Sequence, residues 1–64
     1  MTVSCIVSAY NESEHIEKCI SQLIKALEKD FDQFELIIID DGSIDDTADK
    51  IKIVAAKDDR IVFL

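Results

Sequence analysis

The sequence predicts an α/β fold in which strands and helices alternate in the order β-α-β-α-β around a parallel sheet. Three observations lead to this prediction. Short β-branched apolar runs recur along the chain, the segments between them repeat apolar residues every three or four positions, and polar turns separate the segments. Because such crossovers are right-handed and short, we expect a three-layer half-domain, a single partial domain spanning residues 1–64.

The first strand and the first helix are predicted from a change of period near residue 10. Residues 3–8 form a short apolar run of the kind found in buried strands. Residues 13–29 place their apolar side chains on one helical face: Ile16, Cys19, Ile20, Leu23, Ile24 and Leu27. Asn11 with Glu14 three residues later fits a capping box at the helix start, with Ser13 as a competing cap.

The second half of the chain repeats the pattern. Residues 34–39 are nearly all apolar, which is typical of a parallel strand buried on both faces. A helix is predicted over residues 47–56, and Ser43 with Asp46 forms a second candidate capping box. Residues 57–60 are predicted to form a solvated turn, and a third strand is predicted to start over residues 60–64.

Charge and composition exclude several partners and compartments. The net charge is −7 and the seven basic residues are scattered, so neither a polynucleotide nor an anionic membrane surface is an expected partner. Cys5 and Cys19 lie in apolar patterns and are predicted to be buried free thiols, which suits a reducing compartment. Without a signal peptide or a long apolar segment, we expect a cytoplasmic chain, with membrane association only through a longer parent protein.

The candidate ligand-binding edge lies where the first two strands end. In such sheets ligands sit beyond the carboxyl ends of the strands, so residues 8–11 and 40–43 should lie side by side. This edge has no glycine-rich phosphate loop and carries two aspartates, which would repel a bare diphosphate. An acidic edge can instead bind the neutral parts of a nucleotide. Carboxylates accept hydrogen bonds from a base or from ribose, and a tyrosine ring packs against a base.

Simpler explanations exist for each of these residues. Asp40 and Asp41 could be ordinary turn residues, since aspartate is common in turns. Tyr10 could be a packing residue, and Glu12 could be an acidic residue favoured by the helix dipole in the first turn of a helix. A calcium loop is excluded because the acids lack the alternate spacing it needs. His15 has no partner at metal-ligand spacing and is predicted to be an exposed helix residue.

Two segments together carry a resemblance to a known family. The segment V-S-C-I-V-S-A-Y-N-E at residues 3–12 precedes the first helix, and E-L-I-I-I-D-D-G-S-I-D-D-T at residues 35–47 follows it. This pair resembles the start of family 2 glycosyltransferases, across the whole chain. The resemblance implies a Rossmann-like N-terminal part of a GT-A fold and an enzyme that transfers sugar from a nucleotide donor to an acceptor hydroxyl.

The resemblance implies a role for each of five residues. Ser8 and Tyr10 would line the nucleoside pocket, with the tyrosine against the base, and Glu12 would reach the ribose or the base. Asp41 would accept a hydrogen bond from the base N–H, with UDP or another nucleotide-sugar donor as ligand. Asp40 would brace the turn beside this pocket.

The family's remaining machinery has no counterpart in this sequence. Members carry an Asp-x-Asp motif after a fourth strand, which holds Mg²⁺ or Mn²⁺ and the diphosphate, and later a carboxylate that deprotonates the acceptor. We therefore expect the cation only in the intact enzyme, no catalytic residue here, and no sugar transfer by this chain alone. Gly42 would let the second turn close, and Asp45 with Thr47 would start the second helix.

Two alternatives to a glycosyltransferase segment stay open. The chain could be a small non-catalytic α/β module that binds a partner or itself. A receiver-like domain is less well supported, because its phosphorylated aspartate would follow a third strand. In the sheet of the family that the chain resembles, the first strand lies inside, whereas here residues 3–8 would be left as an apolar, unpaired edge. We therefore expect a homo-oligomer through this strand or through an uncovered helix face.

Overall fold

Three parallel strands and two helices alternate along the chain in the predicted order. The computed structural model describes residues 2–64 and contains β1 (Val3–Ala9), α1 (Ile16–Asp30), β2 (Phe34–Asp40), α2 (Thr47–Lys57) and β3 (Ile61–Phe63). The sheet order is β1-β2-β3, and both strand pairs are parallel. The predicted α/β class, element order and parallel sheet are therefore confirmed.

The register of the first two strands sets the level at which they end. They are paired along their whole length, from Val3 opposite Phe34 to Ala9 opposite Asp40. Each strand is one residue longer than the sequence predicted, whereas β3 is shorter and pairs over only three residues. Since β1 and β2 finish as paired neighbours, the loops that follow them begin at the same point of the sheet edge.

Both helices pack on the same face of the sheet. One core cluster joins Ile16 and Ile20 of α1 with Ile51 of α2, against Leu36 and Ile38 of β2. The chain steps in one direction across the sheet, and right-handed crossovers then place both helices on one side. Of the three layers predicted from the sequence, the described residues thus form two.

The other face of the sheet is left uncovered by the described residues. Along β1 the burial alternates, with Ile6 and Ser8 exposed and Val7 half-buried on the helix side. On β2 the neighbours of the buried Leu36 and Ile38 are Ile37, which is half-buried, and Ile39, which is 39% exposed. Ile6 lies opposite Ile37, so this face carries an apolar strip across both strands.

Neither predicted capping box forms. The residue preceding α1 is His15 and the one preceding α2 is Asp46, and neither side chain caps its helix. The first helix starts at Ile16, three residues later than predicted. The side chains of Asn11 and Ser43, which were expected to cap, instead make contacts between the two loops described below.

The turn before β3 is organised by one arginine and is not simply solvated. The Arg60 guanidinium donates to Asp58 through Nε at 2.9 Å and Nη2 at 2.8 Å, and to Glu28 of α1 through Nη1 at 2.9 Å. It also lies 4.9 Å from the ring centroid of Phe34. The hydrogen bond from Arg60 lowers the pKa of Asp58. This cluster ties α1, β2 and β3 together at the end of the sheet opposite to the candidate site.

Candidate functional site

Two loops meet at the carboxyl edge of the sheet, as the sequence predicted. The first loop is residues 10–15, between β1 and α1, and the second loop is residues 41–46, between β2 and α2. The strand pairing ends with Ala9 opposite Asp40, and the Asp41 N–H donates to the Ala9 carbonyl at 2.8 Å. Tyr10 and Asp41 therefore follow directly on residues that are paired with each other.

Asn11 joins the two loops through both its backbone and its side chain. Its N–H donates to Ser43 Oγ at 2.8 Å, and its Oδ1 accepts from the Ile44 N–H at 2.9 Å. Asn11 has φ +48°, in the left-handed region that asparagine tolerates better than most residues. Gly42 in the second loop has φ +84°, where a side chain would be strained. The backbone of each loop thus turns at a residue suited to it.

A second set of contacts reaches the start of α2. The Thr47 hydroxyl accepts from the Glu12 N–H at 2.8 Å and donates to Asp45 Oδ1 at 2.5 Å. Asp45 Oδ1 also accepts from the Thr47 N–H at 3.0 Å, and Oδ2 from the Ser13 N–H at 3.4 Å. These hydrogen bonds, with the one from the Thr47 hydroxyl as the largest cause, lower the pKa of Asp45. Thr47 is the first residue of α2, as the resemblance implied, whereas Asp45 lies in the second loop and Asp46 directly precedes the helix.

Lys50 brings a positive charge to this edge that the sequence did not indicate. Its Nζ donates to the Ser13 carbonyl at 2.7 Å and lies 4.0 Å from a carboxylate oxygen of Glu17. Lys50 lies one turn after the start of α2, so only the packing of α2 against the first loop brings it here. The ammonium is occupied by these contacts, which makes it a support of the loop.

The five predicted site residues differ in exposure and in engagement. Tyr10 is 56% exposed, and Ser8, Glu12 and Asp41 are also exposed. Asp40 is half-buried, and its carboxylate accepts from the N–H and the hydroxyl of Ser43. Asp40 therefore braces the second loop, whereas the carboxylate of Asp41 makes no hydrogen bond within residues 2–64.

An open cavity of about 480 Å³ lies beside the first loop. Its lining consists of Asn11, Glu12, Ser13, Glu14, His15 and Asp45. Of the five predicted residues only Glu12 contributes to it, and Tyr10 and Asp41 lie outside its lining. The described residues thus give an open edge with exposed aromatic and carboxylate groups, and no enclosed nucleoside pocket.

Comparison with known proteins decides the family. The family model described as glycosyl transferase family 2 matches residues 4–64. The chain belongs to this family. The three-stranded parallel sheet with two helices is consistent with the N-terminal half of a GT-A fold. No solved structure gives a significant match to the chain.

Relatives of this family 2 chain come from both archaea and bacteria. It is 39% identical over 61 residues to glycosyltransferase AglD of Haloferax volcanii, covering 92% of this chain and 10% of that protein. It is 33% identical over 60 residues to an undecaprenyl-phosphate 4-deoxy-4-formamido-L-arabinose transferase of Proteus mirabilis, covering 94% and 18%. It is 32% identical over 62 residues to the putative glycosyltransferase CsbB of Bacillus subtilis, covering 97% and 19%. The chain thus spans 10% to 19% of the length of these relatives.

The residues of this glycosyltransferase segment do not fit a divalent cation. Within residues 2–64 no group of three or more His, Cys, Asp or Glu side chains is arranged to hold a metal ion. Asp40, Asp45 and Asp46 are instead hydrogen-bonded to Ser43, Thr47 and Ser13 respectively. In the same part of the chain, neither helix is long and apolar enough to cross a membrane. Both cysteines are half-buried free thiols.

Proposed function

We propose that this segment binds the nucleoside part of a sugar nucleotide, with UDP as its nucleotide, as the front portion of a sugar-transferring enzyme. The observation that carries the proposal is the position of Tyr10 and Asp41. Both follow directly on the paired residues Ala9 and Asp40, and both side chains are exposed at the edge of the sheet. This is the edge at which ligands bind to parallel sheets.

The chemistry of the two side chains favours a nucleoside over a phosphate group. A carboxylate is an acceptor only, so Asp41 complements the N–H of uracil or a ribose hydroxyl. The Tyr10 ring offers an apolar face to the base. Asp40 keeps the second loop closed through Ser43 and leaves Asp41 as the free acceptor. Glu12 and Ser8, exposed on the same edge, are the further contacts in this proposal.

The proposal assigns sugar transfer to a longer protein and not to these residues alone. The described residues contain no group of three or more side chains that could hold a metal ion, so in the proposal Mg²⁺ or Mn²⁺ is held elsewhere in the intact enzyme. The two free thiols suit a reducing compartment, and in the proposal the binding step takes place in the cytoplasm. The 64-residue chain is expected to transfer no sugar.

Titration of the isotope-labelled chain with UDP in the presence of Mg²⁺ tests the proposal. We expect the amide signals of Tyr10 and Asp41 to shift as UDP is added. Millimolar UDP should be needed, because these residues form no cation site for the diphosphate. Ribose 5-phosphate is the matched control, since it carries sugar and phosphate without a base. If neither signal moves with UDP, nucleoside binding by this segment is refuted. If both ligands act alike, recognition of the base by Tyr10 and Asp41 is refuted.

A second candidate function is self-association, and the uncovered face of the sheet favours it. Among residues 2–64, β1 has a partner strand on one side only, and Ile6 on its exposed face is 66% accessible. An unpaired strand edge beside apolar side chains is a template for another chain. We propose that two copies pair through this strand, with the non-catalytic module as the function if nucleotide binding fails.

Sedimentation of the chain at increasing concentration tests the self-association. We expect the average mass to rise toward that of a dimer, because the Ile6 strip and the free backbone groups of β1 become buried together. Ile6→Lys should keep the chain monomeric, since a charge on an edge strand opposes pairing. Lys52→Glu, an exposed change on α2, serves as the control. A monomer at every concentration would refute the proposal.

A further inference from the structure

The two loops are held together beyond the end of the strand pairing by side chains. The last backbone-to-backbone contact between them is the one from the Asp41 N–H to the Ala9 carbonyl. After it, the N–H groups of Asn11, Glu12 and Ser13 all donate to side-chain oxygens from the second half of the chain. The position of the first loop therefore depends on particular side chains and not on the sheet alone.

Thr47 is the one of these side chains that lies in the core. It is fully buried, and among the described residues it is the only buried polar one. Its hydroxyl uses both of its capacities, accepting from the Glu12 N–H and donating to Asp45. No buried side-chain oxygen or nitrogen in residues 2–64 lacks a partner. A methyl group in place of the hydroxyl would leave the Glu12 N–H without its acceptor, which is costly in a part-buried position.

We propose that Thr47 is a positioning residue that fixes the first loop, and with it Tyr10, relative to Asp41 in the second loop. This rests on the proposed nucleoside-binding function. Thr47 acts through Glu12 and Asp45. Glu12 lies two residues after Tyr10, and Asp45 holds the Ser13 N–H as well as the Thr47 hydroxyl. The first loop, which begins with Tyr10, is thus tied through Glu12 and Asp45 to one buried hydroxyl at the start of α2.

A purely structural role for Thr47 makes a different prediction, and two variants separate them. Thr47→Val keeps the shape of the side chain and loses the hydroxyl, whereas Thr47→Ser keeps the hydroxyl and loses the methyl group. If Thr47 only fills space, valine is tolerated and serine is the damaging change. If the hydroxyl positions the loop, serine rescues the loop contacts and valine does not.

Hydrogen exchange of the Glu12 amide is the first measurement. We expect this amide to exchange roughly tenfold faster in Thr47→Val than in the wild type, the loss of about one hydrogen bond, with Thr47→Ser close to the wild type. The Ile38 amide in the core strand is the internal reference for global opening. Equal Glu12 exchange in the wild type and a folded Thr47→Val would overturn the proposal.

Acid titration gives a second readout that packing alone would not move. The amide signal of residue 47, whose N–H donates to Asp45, reports the protonation of this carboxylate. It should give a pKa for Asp45 below 3.8, the ordinary value for aspartate, in the wild type and in Thr47→Ser. In Thr47→Val the midpoint should move up toward 3.8, because the hydrogen bond from the hydroxyl is lost. If Thr47→Val does not fold, Thr47→Ser decides: a folded serine variant with an unprotected Glu12 amide overturns the proposal.

UDP titration of the same three proteins links the positioning role to the site. We expect UDP to shift the Tyr10 and Asp41 signals of Thr47→Ser as it does those of the wild type. For Thr47→Val the apparent affinity for UDP, measured from the same shifts, should fall roughly tenfold. Neither the exchange nor the acid titration needs a nucleotide. If no protein binds UDP, the proposed function fails, and faster Glu12 exchange in Thr47→Val still supports the role of Thr47 in fixing the loop.

Discussion

Replacing Ile38 by alanine is expected to unfold most of the chain, whereas the same change at its neighbour Ile39 should leave the chain folded. Ile38 is 1% exposed in the core between sheet and helices, and truncating such a residue costs about 2–5 kcal/mol. A chain of 64 residues has little stability to lose, since small domains bury a small share of their surface. Ile39 lies on the uncovered face, 39% exposed, and its truncation should cost below about 1 kcal/mol.

Urea unfolding of both variants, followed by circular dichroism at low protein concentration, measures the difference. The pair is well matched, because the two residues are adjacent on β2, have the same side chain and face opposite sides of the sheet. Equal losses of stability would mean that the second face of the sheet is buried in solution. A loss for Ile39→Ala that grows with protein concentration would assign that burial to a second copy of the chain.

The architecture could be predicted because it depends on the period of apolar residues. The strand run at residues 34–39 and the helical spacing of Ile16, Ile20 and Ile24 are local patterns, and they place each element without knowledge of the rest. The same run also predicted a strand buried on both faces. The described residues cover only one face, since both crossovers run in the same direction and bring both helices to one side.

The helix starts and the turn before β3 could not be predicted from local sequence. Asn11 is of a residue type that often caps helices, but its Oδ1 accepts from the Ile44 N–H, 33 residues away. Arg60 ends a charged segment that is typical of a solvated turn, but its guanidinium donates to Glu28, 32 residues away. A short polar or long basic side chain has several local partners of similar energy, and the tertiary neighbours decide between them.

The candidate site was predicted in its location more fully than in its detail. The rule that parallel strands present ligand sites at their carboxyl ends placed Tyr10 and Asp41 at one edge, and the structure has them there. Thr47 was expected only to start a helix, yet its buried hydroxyl also holds Glu12. The sequence signal for this role was a threonine at a predicted helix start, where threonine is common for capping reasons alone.

Asp41→Ala is expected to weaken UDP binding by about 1.5–3 kcal/mol, or roughly 10- to 150-fold, the usual cost of losing a hydrogen bond to a charged group. Asp41→Asn should lie between the alanine variant and the wild type, because its amide oxygen still accepts a hydrogen bond without the charge. Asp40→Ala should act differently, because it removes the acceptor of the Ser43 N–H and hydroxyl. The second loop should then become more mobile, and UDP binding should weaken as a consequence.

Calorimetry on a longer protein that carries this segment would measure the affinities, and the amide shifts of the 64-residue chain would report the same order among variants. Asp32→Ala is the matched control, since it removes the same charge from an exposed position in the turn before β2, at the opposite end of the sheet. If long-range repulsion of the diphosphate governed affinity, both alanine variants would bind UDP more tightly than the wild type. A loss confined to residue 41 would instead require a direct contact with the nucleoside, whereas an unchanged affinity in Asp41→Ala would remove Asp41 from the proposed site.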